Sequence, residues 1–301
     1  MLTRREFITL SAKLTAMIGL TNAAIPKIAN ALDALVNKEA PVIWLQGQSC
    51  SGCSVSLLNA VDPGPAELLT KYISLLFHGT LSFATGHVSM EVLNKSIESK
   101  DYFLVVEGSI PEKMPECCLV GEELFTEQVL RASKNANAII AVGSCASYGG
   151  IPAAEGNVTG AVNAPDYIKK HGIDKPIIIL PGCPVHPDWV IGTIAHLVQF
   201  GLPPLDNKNR PKYFFSKLVH DQCPRFADYE RQKFAKTFSD DGCLFKLGCL
   251  GPETYADCTI HKWNSGVSSC INAGAPCIGC ANEDFPGKKA FSLYRKGEKY
   301  S

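Results

Sequence analysis

The chain reads as an α/β protein, a doubly wound parallel sheet followed by a smaller, loop-rich domain. Three observations predict this. From residue 41 to about 200, short β-rich apolar runs alternate with longer stretches of helical spacing. The Pro-rich, polar stretch GLPPLDNKNRPKYF at 201–214 breaks that alternation. Beyond it, residues 215–290 carry few periodic segments but hold seven of the thirteen cysteines, at 223, 243, 249, 258, 270, 277 and 280.

Taken in order, the N-terminus has the shape of a twin-arginine export signal over residues 1–31. Arg4 and Arg5 precede Phe7, a moderately apolar run from Leu14 to Ile25, and the small residues Ala29 and Ala31. That run is too short to span a bilayer as a helix, and the expected destination is the periplasm. Strands are predicted at 41–47 (PVIWLQG), 102–108 (YFLVVEG), 137–143 (NAIIAVG) and 175–180 (KPIIIL), each bounded by Gly, Pro or Asn. Helices are predicted over 65–77, 87–99, 121–134 and 187–200, the first from the spacing of Leu68, Leu69, Tyr72, Leu75 and Leu76. Residues 41–200 thus resemble a flavodoxin-type domain, and 205–290 form the second domain.

Composition narrows the function. With 46% apolar residues, 19% charged residues and zero formal charge, the chain has no basic stripe, which excludes a nucleic-acid partner. No second apolar run reaches membrane length and the chain ends on the polar SLYRKGEKYS, so no transmembrane anchor is expected. An odd cysteine count cannot be fully paired into disulfides, and a chain of 301 residues needs no covalent staples. Metal ligation becomes the leading reading.

Cys50 and Cys53 lie in GQSCSGCSVSLL after the first strand, Cys145 in GSCASYGG after another, and Cys183 in PGCPVHP after a third. In a doubly wound sheet such loops open on one edge, at the crevice where strand order reverses. Four thiols can therefore converge, with Gly52, Gly143 and Gly182 permitting tight backbone. A lone Cys-x-x-Cys also suits thioredoxin-like chemistry or zinc. Ligand type alone does not separate zinc from iron-sulfur, but three loops ending alike favour a 4Fe-4S cluster. Further on, His220 and Cys223 in VHDQC, with Cys243 and Cys249 in GCLFKLGC, give one imidazole and three thiols, for which a zinc Cys3His site competes.

Together, GQSCSGCSVSLLN, GSCASYGGIPAAEGN, PGCPVHPDW and CINAGAPCIGC resemble the small subunit of periplasmic nickel-iron hydrogenases, from about residue 41 to 287. The resemblance implies a proximal 4Fe-4S cluster on Cys50, Cys53, Cys145 and Cys183. It implies a distal 4Fe-4S cluster on His220, Cys223, Cys243 and Cys249, the neutral imidazole raising the potential. It also implies a medial cluster on Cys258, Cys277 and Cys280. Many members have proline where this chain has Cys270, and they hold a 3Fe-4S cluster there. A fourth thiol predicts 4Fe-4S, as in the nickel-iron-selenium branch, which Ser49 and Val55 also match. The absence of an extra cysteine at Gly52 argues against the six-cysteine cluster of oxygen-tolerant members.

Other residues read as structural. Cys117 and Cys118 in PECCLVG cannot easily chelate one ion together, and His186 is expected to cap the helix that follows it. His78, His87, His171, His196 and His261 show no ligand spacing, and the acids form no acid-base pair. No catalytic residue follows from the sequence. The resemblance implies an electron-transfer subunit paired with a large subunit that holds nickel and iron, delivering electrons to a carrier such as cytochrome c3. A zinc-stabilised binding protein and the iron-sulfur subunit of a quinone-reducing complex are the alternatives; Cys223 to Cys280 argue against the second.

Overall fold

The computed structural model describes residues 40–61, 63–69 and 73–287, so the export-signal reading at 1–31 lies outside the described residues. Five strands build one sheet: β1 (Ala40–Gln46), β2 (Ile73–His78), β3 (Phe103–Glu107), β4 (Ala138–Val142) and β5 (Ile177–Leu180). Their order is β2-β1-β3-β4-β5 and every pairing is parallel. This is the flavodoxin-like order, with its reversal between β1 and β3. Four strands fall where periodicity predicts them.

β2 does not. The helix predicted over 65–77 is a single turn, Pro65–Glu67, followed by the strand ISLLFH. Its residues pair with β1 from Ala40↔Ile73 to Trp44↔His78. The apolar run is short and nearly continuous, and such a run satisfies helical spacing as easily as it fills a strand. The open edge of β1 takes it as a strand. The helix predicted at 121–134 begins later, at Phe125, because a small hairpin of Leu119–Val120 and Glu123–Leu124 occupies its expected first turn.

Successive strand residues point to opposite faces, and this divides the core. On one face Ile43, Leu45, Leu104, Val106, Ile139 and Ala141 pack against α2 (Gly86–Ser99), α3 (Phe125–Asn135) and α5 (Ala164–Lys170), through Leu93, Ile97, Val129 and Ile168. On the other, Val42, Trp44, Val105, Ile140 and Val142 meet α1 (Gly52–Leu58) and α6 (Pro187–Phe200). That second cluster runs on into the C-terminal region through Phe214, Phe215, Val219, Leu244, Leu247 and Ile271. The loop-rich half is thus fastened to the sheet by a shared core, with Trp189 of α6 edge-on to Phe215 at 4.8 Å between ring centroids. Its own regular structure is limited to short turns such as Phe226–Glu230 and Cys258–His261. Among the described residues no helix is long and apolar enough to cross a membrane.

Leu104 has no exposed surface in the central β3. Leu104→Ala is expected to cost about 3 kcal/mol of unfolding free energy in a urea titration, from lost burial and the cavity left behind. Lys95→Ala, which removes a surface i,i+4 pair with Glu91, is expected to change it by less than about 0.5 kcal/mol.

Candidate metal centres

None of the thirteen cysteines is paired in a disulfide. Cys50 and Cys53 enter from the loop after β1, Cys145 from α4 (Gly143–Tyr148) after β4, and Cys183 from the loop after β5. The four lie within electrostatic reach of one another: Cys53 senses Cys145 and Cys183, while Cys50 acts on both Cys145 and Cys183. Two loops are tied directly, Ser144 N–H donating to Gly182 O at 2.9 Å and Gly182 N–H to Ser144 Oγ at 3.0 Å. α1, which opens on the Cys50–Cys53 loop, is tied to the loop after β5 by Ser56 Oγ donating to Val185 O at 2.6 Å.

The backbone packs closely against the sulfurs. A Cβ on Gly143, whose φ is +78°, would lie 2.4 Å from Cys53 Sγ, and one on Gly150, φ +57°, would lie 2.9 Å from Cys145 Sγ. Burial pushes the Cys53 thiol well up, with the charge of Glu107 adding to it, and raises Cys145 and Cys183 each to about 11. Raised in this way, the three thiols keep their protons at neutral pH, and a bound metal cation would displace them.

The C-terminal region holds two further sets. Cys223, Cys243 and Cys249 act on one another, and His220 lines one small pocket with all three. Phe226 and Tyr229 flank the imidazole at centroid distances of 5.1 and 4.6 Å. Cys258 senses Cys280, Cys277 and Cys270, and Cys270 also acts on Cys280, so the fourth thiol stands with the other three. Burial raises Cys258 and Cys277 strongly and Cys280 to about 12. Among the described residues no three His, Cys, Asp or Glu side chains close on a single-ion position.

The sets are joined end to end. Cys277 N–H donates to Cys249 Sγ at 3.3 Å, tying the middle set to the one with His220. Ser144 Oγ donates to Cys280 O, tying the first set to the middle one, and the main chain at Cys183 offsets part of the rise in the Cys280 thiol. Arg225 N–H donates to Cys223 Sγ at 3.3 Å and Gly279 N–H to Cys277 Sγ at 3.5 Å. Such donors stabilise charge on sulfur.

Cys117 is exposed and Cys118 half-buried, on a turn remote in sequence from any of these loops. His186 caps α6, its Nδ1 accepting Asp188 N–H at 3.2 Å, and its Nε2 bonds Lys262 O across the domain junction. Two residues escaped sequence reasoning. Glu107, the last residue of β3, is 1% exposed and accepts from Trp44, Gln46, Ser49, Cys53 and Ser54. His78, also 1% exposed, meets Ser54 Oγ at 3.0 Å. Their one sequence signal is a polar residue closing a buried apolar strand.

Comparison with known proteins bears on these sets. The chain is 42% identical to the periplasmic [NiFeSe] hydrogenase small subunit of Desulfomicrobium baculatum, over 96% of this chain and 98% of that one. It belongs to the NiFe/NiFeSe hydrogenase small-subunit family. The hydrogenase-2 small chain of Escherichia coli K12 is 40% identical over 93% of this chain and 76% of its own length. The solved [NiFeSe] hydrogenase structures of Dm. baculatum and of Desulfovibrio vulgaris Hildenborough superpose with TM-scores of 0.81 at 43% and 41% identity. They cover 86% and 87% of this chain, and 100% and 99% of their own. The family model for the C-terminal region of the NiFe/NiFeSe hydrogenase small subunit matches residues 215–292, and that for the NADH ubiquinone oxidoreductase 20 kDa subunit matches 50–197. As a hydrogenase small subunit, the chain is an electron-transfer component of an oxidoreductase.

Burial lowers the His78 pKa to about 4, the charge of Glu107 offsetting only part of the effect. The unfolded chain therefore takes up a proton below pH 6.5 that the folded chain refuses until about pH 4. Stability from this residue is complete above pH 6.5 and lost as pH falls towards 4, on the order of 3 kcal/mol. Urea titrations at pH 7 and pH 5 are expected to show a smaller pH-dependent loss in His78→Gln than in wild type.

Proposed function

We propose that this protein carries electrons between the hydrogen site of a nickel-iron large subunit and an external carrier, through three iron-sulfur clusters. The observation that carries the reading is the line of three four-donor sets, tied in series by Ser144 Oγ on Cys280 O and by Cys277 N–H on Cys249 Sγ. Cys50, Cys53, Cys145 and Cys183 are assigned to the proximal 4Fe-4S cluster. Cys258, Cys270, Cys277 and Cys280 hold the medial one, read as 4Fe-4S because a fourth thiol is present. His220, Cys223, Cys243 and Cys249 hold the distal 4Fe-4S cluster. When bound, such groups supply reversible one-electron storage.

The chain's own contribution is to gather soft donors, exclude water and aim N–H dipoles at sulfur. Thiols that are uncharged when empty fit a cationic iron core, and glycine at 143 and 150 keeps the Sγ atoms clear. His220 is neutral where the other eleven ligands are thiolates, which raises the potential of the set nearest the pocket flanked by Phe226 and Tyr229.

The face beside the exposed Cys50 carries exposed Val55, Leu58 and Val61, and this apolar strip is where the large subunit docks. The twin-arginine pattern at 1–31 and the periplasmic relative support export of the assembled protein to the periplasm. There a multihaem carrier such as cytochrome c3 receives or supplies the electrons. The spans 41–200 and 205–290 are the two working domains, the first with one cluster and the second with two.

Elemental analysis and EPR of the purified complex test this. Iron with no stoichiometric zinc is expected, and a colourless zinc protein overturns the reading. Oxidised wild type is expected to lack the near-isotropic 3Fe-4S signal, while Cys270→Pro gains it and loses iron. Leu58→Asp is expected to weaken association with the large subunit about tenfold or more in co-purification, since it places a charge in an apolar contact.

A further inference from the structure

Glu107 ends β3 at the point where strand order reverses, and its side chain has almost no contact with water. Both oxygens are fully engaged. Oε1 accepts Ser49 Oγ–H at 3.1 Å, Cys53 N–H at 3.1 Å and Ser54 N–H at 3.4 Å. Oε2 accepts Trp44 Nε1–H at 2.9 Å, Gln46 Nε2–H at 3.2 Å and Ser54 Oγ–H. Four of these donors are N–H groups that can only donate, two on each oxygen, an arrangement that favours the carboxylate, while the Ser49 and Ser54 hydroxyls can turn to suit it. The donors come from β1, from the loop that carries Cys50 and from the first turn of α1, and Ser54 extends the network to His78 of β2.

No lysine or arginine is among these partners. His78 does not supply the missing positive charge, because burial keeps its imidazole neutral until about pH 4. The carboxylate is therefore balanced by dipoles and not cancelled by a cation, and its field persists in the low-dielectric interior. It reaches the neighbouring thiols, acting on both Cys53 and Cys145.

We propose that Glu107 is a positioning residue for the proximal site: its carboxylate fixes the Cys50–Cys53 loop against the sheet and places a negative charge beside that site, lowering its reduction potential. The inference rests on the assignment of Cys50, Cys53, Cys145 and Cys183 to that site. Reduction adds one electron from an external mediator, and an electron added beside a fixed negative charge meets repulsion that its removal relieves. A merely structural Glu107 would hold the loop without moving the potential.

The test uses the complete heterodimer of large and small subunits, with Glu107→Gln removing the charge at constant size and Glu107→Asp keeping the charge on a shorter arm. Iron content is measured, and each EPR signal is followed in a mediated redox titration with the medial and distal signals as internal references. Glu107→Gln is expected to raise the proximal potential alone, leaving the other two unmoved, and Glu107→Asp to keep a potential near wild type with lower proximal occupancy. A Gln complex that loses only the proximal signal while Asp retains it also supports the proposal, since the charge is then needed to hold the loop. Full loading of Glu107→Gln at an unchanged potential overturns it. Equal shifts in both variants, or loss of the proximal signal in both, overturn the role assigned to charge. Cys53→Ala separates this from the underlying assignment: a complex that keeps its proximal signal without Cys53 refutes the ligand set, whatever Glu107 does.

Discussion

Parallel pairing obliges every strand of the sheet to finish on the same edge, and the chemistry of this chain follows from what each strand delivers there. β1 is followed by Cys50 and Cys53, β4 by Cys145 and β5 by Cys183. β2 ends in His78 and β3 in Glu107, so all five strands contribute a functional group to one edge. None of these groups is near the others in sequence except the Cys-x-x-Cys pair. Their meeting is a property of topology, and reversing a single strand would remove its group to the far side of the molecule.

The second half of the chain solves the same problem without a sheet. Residues 215–287 have little regular structure, yet Phe214, Phe215, Val219, Leu244, Leu247 and Ile271 join the apolar layer beneath α6. That layer positions loops whose thiols are individually unfavourable as ions in so dry a place. Burial raises Cys258, Cys277 and Cys280, and among the described residues only Arg225 brings a compensating cation, towards Cys223 and Cys243. Hydrophobic packing brings the donors together in this region, and a bound cation would neutralise them.

Much of this was legible in the residues alone. Strands at 41–47, 102–108, 137–143 and 175–180 announce themselves by apolar runs closed with Gly or Pro, and α6 by a periodic stretch that opens on Pro187. Cysteines placed just after strands identify the crevice because loop position is a topological consequence of the sheet. β2 was missed because ISLLFH is too short to reveal its period, and only its pairing with β1 distinguishes strand from helix. Glu107 was missed for a different reason. An isolated acid in sequence shows neither its burial nor its donors, and the partners that define it come from positions 44 to 54, more than fifty residues away. Cys270 stands out in the sequence as an extra thiol in a spaced motif, whereas its approach to Cys258 and Cys280 depends on turns with no periodic signature.

The amide of Cys277 reaches Cys249 Sγ, and Ser144 Oγ reaches the carbonyl of Cys280. Each tie has one end on the main chain, so the interval between neighbouring sets is inherited in large part from backbone geometry. A hinge between residues 40–200 and 215–287 would break the Ser144 tie to Cys280. Stiffness at that junction therefore keeps the separation of the first and middle sets constant.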